Sequence, residues 1–199
     1  MTGDEPMHDT RSAKLAALRD YWLARRCGRR LPGRRDIDPV DLPRHLSTLL
    51  LIDGIGGRYR FRLVGTKLSR LMVRDPTGLH LDQVLEESEL EVWDDLVGHL
   101  ALHREALSVR GHLSWASGWA VPVEWMLLPL ASDGTTVDMV VACAELPELP
   151  PRLPAGRPRF SFSWPPQVAP AGRWNGDGPS ALKRWLNGVS GTGLAASAP

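Results

Sequence analysis

Arg58-Tyr59-Arg60-Phe61-Arg62-Leu63-Val64-Gly65-Thr66 decides the fold. Tyr59, Phe61 and Leu63 alternate with three arginines, and a period of two puts one set against a core and the guanidiniums in water, as in a strand covered on one side. Upstream, the apolar run Thr48 to Ile52 reads as a buried strand, and Asp53 to Gly57 as the turn that joins the two into a hairpin. Downstream, Thr66 is placed to cap a short helix carrying Leu68, Leu71 and Met72, which Asp75, Pro76 and Gly78 break into a loop. A further helical turn over Asp82 to Glu87 leads into a longer helix. Ser88 and Glu91 have the capping-box spacing at its head, and its apolar stripe is Leu90, Trp93, Leu96, Val97 and Leu100. Three more strands follow, Val109 to Trp115, Val121 to Leu130 and Thr136 to Glu145, turned at Ser117-Gly118 and Asp133-Gly134. The expected class is α+β, with a five-stranded antiparallel sheet.

The strand at 121–130 is apolar on both sides, with Val123, Trp125 and Leu127 on one and Met126, Leu128 and Leu130 on the other, so both faces of the sheet must be covered. The short helices and the longer helix cover one. The other falls to an N-terminal helix, Arg11 to Arg26, whose Leu15, Leu18 and Trp22 recur at three- and four-residue steps before Gly28 stops it. Pro39 to Ser47 reads as one short helix between this element and the hairpin. The expected organisation is a disordered start over residues 1–10, one domain over 11–146, and a tail over 147–199. In the tail Pro147, Pro150, Pro151, Pro154 and Pro158 open a run that works against regular structure. Only 179–187 there has the pattern of a short helix.

Composition sets the limits. The chain has 199 residues, enough for one real core, and its 24 Lys and Arg against 23 Asp and Glu leave no global field that would draw nucleic acid or anionic membrane. Cys27 and Cys143 are too few and too far apart for a disulfide framework or metal knuckle. The polar opening residues lack the pattern of a signal peptide, and no run approaches membrane-spanning length, so a cytoplasmic location is expected.

An ordered set of motifs adds to this: Tyr21-Trp22, Gly28-Arg29-Arg30-Leu31-Pro32, Arg35, Asp36-Ile37-Asp38-Pro39, Leu42-Pro43, Tyr59 to Thr66, Arg74-Asp75, Thr77-Gly78 and Leu128-Pro129-Leu130. With the element order, these residues resemble the PAS domain, in a family of short single-PAS bacterial proteins, over about Leu15 to Glu145. Val73 departs from the Gly that the family tends to carry before Arg-Asp. The resemblance implies a PAS fold and a sensory or signalling role. It transfers no catalytic residue and names no cofactor, because its motif positions cap, turn and fold.

A ligand, small and apolar or of mixed polarity, is expected between the longer helix and the sheet, near Phe61, Leu63, Met72, Leu85, Trp93 and Leu96. The alternative is an interaction adaptor whose interior is packed by its own side chains. Trp22, Arg26 and Arg30 are the expected interaction surface, with Trp22 anchoring a homodimer and the arginines facing a signalling partner. Arg26 and Arg30 have the R-x-x-x-R spacing of cyclic-dinucleotide binders of another fold, without the downstream element those require. His99 and His103 stand four apart on the longer helix, yet no Cys or carboxylate completes a metal motif, and both read as half-exposed flank positions. Cys143 reads as a small buried hydrophobe. No phosphate-binding loop, nucleophile elbow or zinc-protease motif is present, so the expectation is a non-enzyme that binds neither metal, nucleic acid nor membrane.

Overall fold

The computed structural model describes residues 12–162. The expectations for residues 1–10 and 179–187 lie outside them. Ser12 caps helix α1, Ala13–Ala24, by accepting a hydrogen bond from the Leu15 amide, and positive φ at Cys27 and Gly28 ends the run. Pro39 to Ser47 does not form one helix; it contains single helical turns at Pro39–Asp41 and Leu46–Thr48, separated by the Leu42-Pro43 break.

The hairpin joins β1, Leu49–Asp53, to β2, Arg60–Val64. Helix α2 is Thr66–Leu71, with Gly65 rather than Thr66 at its N-cap, and the longer helix α3 is Glu87–His103. The start of α3 is set two residues early: the Glu86 amide donates to the Glu89 carboxylate, so the box spacing at Ser88 and Glu91 is not the one used. Strands β3, Leu107–Ser114, β4, Ala120–Leu130, and β5, Met139–Glu145, form the expected antiparallel meander, and β5 pairs with β1.

The sheet has six strands, not five, in the order β2-β1-β5-β4-β3-β6. The added strand β6, Arg159–Phe162, comes from the segment read as a tail and pairs antiparallel with β3, Gly111 opposite Phe162 and Ser114 opposite Arg159. The boundary at 146 therefore cuts through the sheet. No proline falls within Arg159–Phe162, and an edge strand needs only one of its sides paired, so four residues suffice. Gly111 makes the pairing possible: any Cβ there would collide with the Ser161 carbonyl.

Register assigns the two faces. Phe61 pairs with Ile52, Ile52 with Val140, and Ala142 and Ala144 continue the same side toward Leu127 and Trp125. This face carries α3, for Trp125 stacks on Phe160 with ring centroids 6.0 Å apart, and the Phe160 amide donates to Glu89 of α3. Leu51, Val141, Leu128 and Cys143 lie on the opposite face, which α1 covers. There Lys14 donates to Thr48 Oγ1 at 2.8 Å and to the Ala144 carbonyl at 3.0 Å, and Thr48 meets the Cys143 thiol. The arrangement is the expected α+β sandwich of a sheet between two helical covers.

Candidate functional site

Phe61, Met72, Leu85, Trp93 and Leu96 are all buried and belong to one contiguous core with Trp125. Leu63 does not join them. The register slips between Leu51 and Ile52, which sets Leu63 beside Leu51 and Phe61 beside Ile52, residues on opposite faces. A bulge of this kind breaks strict alternation, so Leu63 points to the α1 side and remains half-buried. Within the core, the Trp125 indole N–H has no hydrogen-bond partner among the described residues, although the residue is only 2% exposed. An unpaired buried donor is uncommon, since it forfeits water without a replacement.

At the rim of α3 lies a cleft of about 180 Å³ that sequence reasoning did not find, lined chiefly by Arg58, Tyr59, Leu81, Asp82, Leu90 and Asp94. Arg58 donates to both Asp82 oxygens at 2.7 and 2.9 Å. That hydrogen bonding, with the guanidinium charge, holds the Asp82 carboxyl below its ordinary range. Burial, reinforced by Asp94, pushes the Tyr59 phenol up. The cleft's charges are thus largely spent on one another, leaving it little free charge with which to bind a ligand.

The proposed interaction residues divide. Trp22 is 1% exposed and donates its indole N–H to the Pro129 carbonyl at 2.9 Å, so it closes its own domain and cannot anchor a partner from the surface. Arg26 lies over the Trp22 ring, 5.4 Å from its centroid, and is half-exposed; Arg30 is exposed. Their neighbours Arg25 and Arg29 are tied to Asp41 and Asp36. The Asp36 carboxyl is lowered, first by the Gly33 amide that donates to it and then by Arg29.

His99 is not a half-exposed flank. It is 5% exposed, its ring 4.2 Å from that of His103. Burial, with a smaller contribution from His103, lowers its pKa to about 4, so the ring is neutral at ordinary pH. The reason is the α3 surroundings, which bury a wider arc than the Trp93 stripe alone. Among the described residues no group of three His, Cys, Asp or Glu side chains could hold a metal ion. Cys143 is fully buried as read, and desolvation raises its thiol pKa. Among the described residues no helix is long and apolar enough to cross a membrane.

No curated protein matches the chain. Among solved structures, a light-oxygen-voltage domain studied with a flavin analogue is similar at 10% identity and TM-score 0.40, over 55% of this chain and 82% of that one. The PAS domain of an HTR-like protein from Haloarcula marismortui is similar at 16% identity and TM-score 0.37, over 50% and 79%. A LOV protein of Rhodobacter sphaeroides is similar at 12% identity and TM-score 0.39, over 67% and 66%. The sequence profile of PAS_5, described as a PAS domain, matches residues 10–144. With the hairpin, the helical cover and the meander all inside that span, the chain belongs to the PAS domain family.

Proposed function

We propose that the protein is a non-enzymatic signalling module that relays its state through contacts with protein partners. The observation that carries this reading is the core. The side chains expected to line a ligand site, Phe61, Met72, Leu85, Trp93 and Leu96, are buried together with Trp125 in one contiguous cluster, which favours the adaptor over the ligand sensor. Arg30, with Arg26 beside it, supplies the contact surface. Among the described residues neither makes an ion pair, and an acidic segment of a signalling partner has the complementary chemistry. A cytoplasmic location and a homodimer form part of the same reading.

One observation favours a second reading, a small apolar or mixed-polarity ligand: the unpartnered Trp125 N–H, to which a ligand acceptor would give the missing hydrogen bond. Native mass spectrometry of the full chain purified from its own host separates the two. The expected spectrum is that of the bare chain. A co-purifying small molecule that is lost from a folded Leu96→Trp variant would overturn the adaptor reading.

A further inference from the structure

Beyond β5 the chain runs as a strap past α2 to the start of α3 before it becomes β6. Arg70 of α2 donates to the carbonyls of Pro150 and Pro151 at 2.6 and 2.5 Å. Arg157 then meets both oxygens of Glu89 at 2.9 and 2.6 Å, and the Phe160 amide donates to the same carboxylate at 2.9 Å. Glu89 is a buried carboxylate with all its oxygens engaged. Burial alone would raise its pKa, but Arg157, the Phe160 and Glu86 amides and the guanidinium charge together hold it below the usual range. The site on the domain is therefore specific. It is the edge of β3 that β6 occupies, the close approach that Gly111 permits, the Trp125 ring and one anchored acid, matched to Arg157, Phe160 and an extended backbone.

We propose that this site is an exchange point between two copies of the chain, the Arg157–Phe162 segment of one seating on β3 and Glu89 of the other. Three features point to a second copy as the occupant. The segment of a second copy carries the same arginine and aromatic at the same spacing, so the site accepts it with every contact kept. The strap is separable, because β1 to β5 pair without it. Its linker, Pro147 to Pro158, holds Pro150, Pro151 and Pro154 between those ends. At ~3.1 Å per residue such a proline-rich stretch spans roughly 35 Å, about a small domain's width, and its stiffness reduces the advantage of folding back over reaching across. Exchange of an identical element is a low-cost route to a dimer. This proposal is independent of whether the core holds a ligand.

The test uses the register of β3 and β6. Full-length chains with the exposed Cys27 replaced by Ser carry either Ser114→Cys or Arg159→Cys, each with its own tag, and are mixed under mild oxidation. A chain with both cysteines, in which β6 on β3 forms the bond internally or across the dimer, is the control. The expected result is a disulfide-joined heterodimer of the two tags, lost when the copy carrying Ser114→Cys also carries Glu89→Arg. A mixture that stays monomeric while the control closes its bond within one chain would overturn exchange. A heterodimer that survives Glu89→Arg, or a control that forms no bond, would do the same.

Discussion

Two residues are out of keeping with their surroundings, and each makes a measurable statement. Val73 has φ 68° and is 69% exposed. A β-branched side chain in the left-handed region crowds its own carbonyl, and burial does not compensate for it here. The PAS resemblance puts Gly at this position. Val73→Gly is expected to raise stability by about 1 kcal/mol, read as a higher denaturation midpoint, because the relief of strain exceeds the added freedom of the unfolded chain. A lower midpoint would mean that the valine makes a contact worth more than the strain. His99 gives a pH dependence. Its folded pKa, about 4, lies below the unfolded 6.5, so between these values the unfolded chain binds more protons and stability rises with pH. The His99 contribution is complete above pH ~6.5 and is lost as pH falls through 4, on the order of 3 kcal/mol in all. Below that, protonation of Glu89 removes a second contribution of the same sign. Thermal unfolding from pH 7 to 4 should show the decline, and His99→Leu should flatten it; an equal slope in the variant would assign the loss to other groups.

At the scale of elements, β1 to β5 and the three helices follow from their patterns because each is decided locally, by alternation or by an apolar stripe with a capping residue. Three features were not legible for the opposite reason. The bulge that turns Leu63 away arises from pairing, not from the sequence, which alternates from Arg58 through Leu63. The burial of His99 depends on what packs beside α3. β6 depends on Glu89, 68 residues from Arg157, and its four residues are obscured by the prolines before them. Truncation after Glu148 measures how much that last element contributes. It removes the cover over Trp125 and, with Arg157 and the Phe160 amide, the charge-assisted hydrogen bonds to Glu89, a loss of several kcal/mol in all. The expected product is folded, with its β1–β5 sheet intact by circular dichroism and its melting temperature lowered by roughly 6–20 °C, since 1 kcal/mol shifts a domain of this size by roughly 2–4 °C. An unchanged melting temperature would place the strap outside the cooperative unit.

Over the whole molecule, the sequence motifs led to the PAS family because they are capping and turning positions, which report the fold directly. The candidate site was less legible. Phe61, Met72, Leu85, Trp93 and Leu96 were correctly assigned to the interior, yet whether an interior holds a ligand is a matter of volumes that no pattern encodes. Trp22 misled because a large aromatic on a short helix looks the same in sequence whether it faces Pro129 or a neighbour. The order of the strands also has a consequence during synthesis. The two edges of the β1–β5 sheet are protected in different ways: β2 by its row of arginines, and β3 only by β6, which is made after the other five strands. Until Phe162 has emerged, a nascent chain that has already folded β1 to β5 presents the eight residues of β3 unpaired. That interval is when neighbouring chains on one messenger can join edge to edge, so the C-terminal strand is also the protein's safeguard against aggregation.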